Sequence, residues 1–163
     1  MTVFWDFDGL IHMEFLEQGS TINSERYIET LRKLRARLSR VRPGKNAILH
    51  HDRPHTSRHT QDATKSLRLQ ETLQHPPYSP DLAPSDFYLY PKLKEYLKGK
   101  RYADDDEVQE DVRRGFRGKS HEFFADGMRQ FIRRWLICIN KEDDYVEKYS
   151  YCHVADILSF HLV

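Results

Sequence analysis

The chain reads as an α/β protein, and three observations carry that reading. The segment Val3 to Leu16 holds two strand-like runs around an Asp-Gly turn, positions 24–41 repeat apolar side chains at helical spacing, and the last third holds two more helical patterns. Strands first and helices afterwards is the order expected when helices pack on a sheet. At 163 residues the chain suits one domain with a real core.

The elements follow in order. Val3-Phe4-Trp5-Asp6-Phe7 and Leu10 to Leu16 flank Asp8-Gly9, the usual sign of a hairpin. Asn23 or Ser24 can cap a helix over 24–41, in which Tyr27, Ile28, Leu31, Leu34 and Leu38 face inward and the basic residues outward. Pro43-Gly44 ends it. Ala47-Ile48-Leu49 is a short core strand that delivers His50, His51 and Asp52 at its end. Thr56 to Leu69 predicts a weakly amphipathic helix, followed by a brief strand near Glu71–Leu73. Four prolines between His75 and Pro84 impose an extended loop. Ser85 is expected to cap a helix that starts at Asp86, breaks at Pro91 and ends near Leu97. Another helix spans 105–116, its acidic start favourable to the helix dipole. The last covers 120–140 with Phe123, Phe124, Met128, Phe131, Ile132, Trp135 and Ile139 inside.

Composition excludes some classes. Hydrophobic residues are 39% and aromatic residues 12%, too rich for disorder. No apolar run approaches the ~18–20 residues of a membrane span, and the N-terminus has no leader pattern. Cys138 and Cys152 stand without a CxxC partner, which fits a reducing compartment. The net charge of +1 hides a basic segment, Arg32 to Lys45, and an acidic one, Asp104 to Glu107. Any nucleic-acid contact is therefore local.

Asp52 lies 34 positions before Asp86 (86 − 52), and the two have the form of carboxylates brought together on rigid elements. Two-metal phosphoryl transfer needs such acids to converge on ions ~3.5–4 Å apart, and Mg²⁺ prefers hard oxygen ligands while keeping several waters. Spacing alone is not specific, since a chain with 25 acids holds many such pairs and most acids are caps or solvated charges. Asp81, in Ser79-Pro80-Asp81, reads as a turn former. His51, His55 and His59 are four apart, but Pro54 interrupts that face and they read as polar strand-end and helix-start residues. Asp104–Glu107 reads as a helix N-terminus, not a metal site.

The wording around the two acids is specific. YSPDLAPSDF after HPP, the HHD-RPHT segment, LKEYLKGKRY and FFADGM with the later RRW, CI and DYVEK together resemble the mariner branch of the Tc1/mariner transposases. The likeness runs from Val3-Phe4-Trp5-Asp6 to about Lys148. It implies a partial RNase H-like catalytic domain over residues 1–149, incomplete at the N-terminus, with a mixed sheet flanked by helices; residues 150–163 form an unmatched tail. It also implies a triad of catalytic aspartates with 34 residues between its second and third members, matched by position to Asp52 and Asp86, and a two-metal Mg²⁺ or Mn²⁺ site. The implied partner is DNA, the transposon ends, with a homodimer left open, no membrane and a nuclear location. Lys92, Lys94, Lys98, Lys100 and Arg101 follow Asp86 and are candidate contacts to the DNA backbone, as is the basic run of the 24–41 helix.

The sequence also departs from the family. The first catalytic aspartate belongs to a strand that would precede Val3–Phe7; Asp6 sits in a non-catalytic Trp-Asp pair and Asp8 in the hairpin, so neither replaces it. Asn-Ala is missing after Asp52, Gly115 stands where an aromatic is expected and should leave a hole, and Asp143 stands where a glycine cap is expected. These lapses predict an impaired DNA-cleaving and strand-transferring enzyme. The alternatives are a non-catalytic, transposon-derived nucleic-acid binder and a relic that folds poorly because a sheet edge is exposed.

Overall fold

The structure, a computed structural model, describes residues 1–17, 19–45, 47–50, 57–71 and 79–140. The expectations placed on His51, Asp52, His55, Asp143 and the 150–163 tail lie outside that set. The described residues form two compact units, one of residues 1–6, 10–17, 19–45, 47–50 and 57–71, the other of residues 7–9 and 79–140.

β1 (Thr2–Asp6) pairs with β2 (Gly9–Glu14), and apart from Gly9 both strands belong to the first unit. Phe7 and Asp8 alone make the turn, which imposes antiparallel pairing. The glycine is needed one position later than the sequence suggests, at the head of β2, where φ is 129°. Helix α1 (Ser24–Val41) starts at Asn23, whose side chain accepts from the Arg26 backbone N–H at 2.8 Å, so Asn23 and not Ser24 is the cap. Its buried stripe of Tyr27, Leu31, Leu34 and Leu38 packs with Phe4, Ile11, Ala47, Leu49 and Leu69 into one core cluster. At roughly 25 cal/mol per Å² of apolar area, each fully buried leucine contributes about 2 kcal/mol before entropy is counted.

Strand β3 (Ile48–Leu49) pairs in parallel with β4 (Gln70–Glu71), Ile48 opposite Gln70 and Leu49 opposite Glu71. Parallel neighbours need a crossover, and α2 (Arg58–Ser66) lies in it, capped by Ser57. This helix is amphipathic without an apolar stripe, because the residues it buries are Thr60 and Thr64. Their hydroxyls are satisfied locally, Thr64 donating to the Thr60 carbonyl at 2.8 Å and Thr60 bonding the Ser57 hydroxyl at 2.9 Å. The two pairs supply both strand senses of the expected mixed arrangement, although among the described residues they are separate two-stranded sheets.

In the second unit, a 3-10 turn at Pro80–Leu82 leads to a π-helical turn at Ser85–Leu89, which continues into α3 (Tyr90–Leu97). Two expectations are corrected here. Ser85 does not cap the segment, which has no side-chain cap, and Pro91 does not break it. A proline within a helix lacks an N–H and crowds the carbonyl four residues back, here Phe87. The wider turn just before it, closed by Tyr90 N–H to the Ser85 carbonyl, accommodates both effects. Helix α4 (Asp105–Arg117) and α5 (His121–Asn140) complete the unit, with Leu82, Leu89, Val112, Phe116, Phe124, Ala125, Met128 and Phe131 buried. Ile139, expected inside, is 62% exposed, so the inward stripe of α5 outlasts its cover. No described helix is long and apolar enough to cross a membrane.

Candidate functional site

Asp86 is exposed at the N-terminal end of the π turn, where the positive end of the helix dipole favours a carboxylate. The residues around it are all anchored. The Asp86 and Phe87 backbone N–H groups both donate to the Ala83 carbonyl, at 2.9 and 3.1 Å. Phe87 lies beneath the Arg134 guanidinium, 4.2 Å from ring centroid to charge centre. The Tyr88 hydroxyl donates to the Phe123 carbonyl at 2.9 Å, and Leu89 is fully buried. Burial pushes the Tyr90 hydroxyl pKa up, and the negative charge of Asp86 adds to the shift. A hard oxygen donor held outward on a fixed turn fits a divalent ion such as Mg²⁺ or Mn²⁺. Its expected companion, Asp52, is outside the described residues, and among those described no group of three or more His, Cys, Asp or Glu could hold a metal.

The other acids have different duties. Asp6 is 1% exposed and receives the Arg42 guanidinium in a two-pronged pair, with Nε and Nη2 both at 2.8 Å. That agrees with its reading as a non-catalytic residue. Asp8 lies 3.4 Å from His121 Nε2. Asp104 accepts from the Glu107 N–H at 2.8 Å while Glu107 reaches back to the Ala103 N–H at 2.7 Å, so the acidic run is a helix start as expected. Asp81 sits within the 3-10 turn, as a turn former should.

Four of the five predicted cations after Asp86, namely Lys92, Lys94, Lys98 and Arg101, are exposed and make no ion pair among the described residues. Lys100 is differently placed. Its Nζ donates to Asp111 Oδ2 at 2.8 Å and stands 3.5 Å over the Tyr96 ring. The Tyr102 hydroxyl donates to the same oxygen at 2.7 Å, and the Tyr96 hydroxyl donates to Oδ1 at 3.0 Å. The Lys100 bond first, then those from Tyr102 and Tyr96, hold the Asp111 carboxyl down to about 2. The basic run of α1 divides in the same way: Lys33 is bound to Glu14 and Arg42 to Asp6, whereas Arg32, Arg37 and Arg40 are exposed without an ion pair among the described residues.

The Asp111 cluster was not found from sequence, although a signal existed. Asp111 shares the inward face of α4 with Val112, Gly115 and Phe116, and an acid there needs partners. The cluster also overturns the hole expected at Gly115. A Cβ on Gly115 would meet Tyr96 Cε1 at 2.8 Å, so the tyrosine fills the space.

Comparison with known proteins gives a consistent result. A family model described as "Transposase (partial DDE domain)" matches residues 1–48. The chain is 34% identical over 153 residues to histone-lysine N-methyltransferase SETMAR of Homo sapiens, covering 90% of this chain and 22% of that protein. It is 34% identical over 154 residues to the mariner Mos1 transposase of Drosophila mauritiana, covering 90% of this chain and 44% of the relative. It therefore spans less than half the length of either relative. The Mos1 transposase catalytic domain, solved with raltegravir and Mn, superposes with a TM-score of 0.80 at 33% identity, over 88% of this chain and 74% of that one. That likeness bears out the RNase H-like expectation. Mos1 has also been solved as a paired-end complex with its left transposon end.

Proposed function

Because the chain belongs to the mariner transposases, we propose that it forms part of a DNA-cleaving and strand-transferring site in which Asp52 and Asp86 hold Mg²⁺ or Mn²⁺. When bound, such ions activate an attacking water or 3′-hydroxyl and stabilise the leaving oxygen. The observation that carries this reading is the exposed Asp86 on an anchored turn, followed by four cations without ion pairs among the described residues. Lys92, Lys94, Lys98 and Arg101 would meet DNA phosphates beside the acid and fix the strand there. Lys100 acts indirectly, holding the end of α3 against Asp111. The proposed workplace is the nucleus, and the proposed assembly is a homodimer holding two DNA ends, in keeping with the paired-end form of Mos1.

Within these 163 residues two acids of the expected triad are matched, so Mn²⁺-dependent nicking of supercoiled plasmid should be slow. Asp86→Ala and Asp52→Ala should each abolish it. Nicking that persists in Asp86→Ala would overturn the reading.

The same four cations also favour a second reading, a DNA binder without catalysis. It requires no nicking at all, and DNA affinity unchanged by Asp52→Ala. In either case four phosphate contacts give a log–log salt slope of about −3 to −4, reduced by ~0.9 for each cation replaced by glutamine.

A further inference from the structure

We propose that Arg134 is the positioning residue of the turn that carries Asp86, an inference that rests on reading Asp86 as a metal ligand. A π turn is rare and occurs mostly as a single widened turn within a helix, and this one begins without a side-chain cap. Something outside it must hold it. Arg134 grips the chain on both sides of the acid: Nη1 donates to the Asp81 carbonyl at 2.8 Å, and the guanidinium face lies 4.2 Å from the Phe87 ring. A planar guanidinium can donate in its plane and stack through its face at once, which an ammonium cannot. A second anchor is the Tyr88 hydroxyl on the Phe123 carbonyl, with the two rings 5.2 Å apart. Phe123 precedes Arg134 on α5 by about three turns, which places the two grips about 16 Å apart along one helix. α5 is a rigid base, since Phe124, Ala125, Met128 and Phe131 are all buried. Arg134 acts through the Asp81 carbonyl and the Phe87 ring, fixing where the carboxylate points.

The test is Mn²⁺ binding by the full chain, followed by paramagnetic broadening of the amides of residues 85–89 and by electron paramagnetic resonance. Arg134→Lys keeps the charge but loses the stacked fork, and should weaken Mn²⁺ by about tenfold, the lower end of the range for groups that orient a ligand. Phe87→Leu should do the same, and the double variant should be no worse than either single one. Val112→Ala, a core change in α4, serves as the control for general destabilisation and should leave Mn²⁺ affinity unchanged. Wild-type affinity in Arg134→Lys, or an equal loss in Val112→Ala, overturns the proposal while leaving Asp86 a ligand. Undiminished binding in Asp86→Ala overturns the ligand reading and the proposal with it.

Discussion

Helix α1 buries Tyr27, Ile28, Leu31, Leu34 and Leu38, whereas α3 has no buried residue at all. The first is held by an apolar stripe that is indifferent to small rotations. The second is held by directed polar contacts at its C-terminal end, where Tyr96, Lys100 and Tyr102 converge on Asp111. Apolar packing tolerates a shift as long as volume is kept, while a hydrogen bond weakens steeply once its angle is lost. Polar fixing thus gives α3 a defined direction although its apolar side chains are at most half-buried, and leaves Lys92 and Lys94 in water.

The largest expected effect attacks the apolar side. Leu34→Ala, at a position with no exposure, should cost about 3 kcal/mol or more in urea denaturation. Next comes the close contact between α3 and α4. Gly115→Ala would place a methyl 2.8 Å from Tyr96 Cε1, and the ring is tied to Asp111. Overpacking of ~1–3 kcal/mol should outweigh a helix-propensity gain of up to about 1 kcal/mol. In a Tyr96→Ala background the same change should turn stabilising, which would show that the ring is the obstacle. Asn23→Ala, which removes the α1 cap, should cost about 1 kcal/mol in the same measurement.

Asp111→Asn keeps an acceptor for Tyr102, and what distinguishes it from the other changes is its pH dependence. Its signature is in acid. The folded carboxyl is depressed to about 2, so its contribution is complete above about pH 4 and is lost as pH falls through about 2. Thermal melts between pH 5 and 2 should show a shallower acid decline in Asp111→Asn than in the wild type. An identical slope would mean that the cluster does not hold the carboxylate.

Apolar periodicity made α1 legible to the residue, and acidic capping did nearly as well for α4, placed at 105–116 and found at Asp105–Arg117. Periodicity identifies which side of α5 is inward but not how far its cover extends, hence the error at Ile139. The π turn was hidden because its cause, Pro91, acts on a carbonyl four residues earlier and can be answered by breaking the helix or by widening it. The space at Gly115 was misjudged because its occupant, Tyr96, comes from a different helix, α3, which no local pattern around Gly115 reveals. Family wording located Asp86 and the four exposed cations that follow it. Asp52 and Asp86 are 34 positions apart (86 − 52), so the stretch enclosed between them is one short of the family's, in a chain that lacks Asn-Ala after Asp52.

The wide turn at Ser85–Leu89 carries one residue more than an α-helix would use. Excising a single residue there would let the backbone relax into an unbroken spiral, with every lysine downstream still in phase. The change would fall within the turn itself, where the remaining residues, Asp86 among them, would be redistributed over one position fewer. A gap of one in this stretch is therefore silent for architecture and decisive for chemistry.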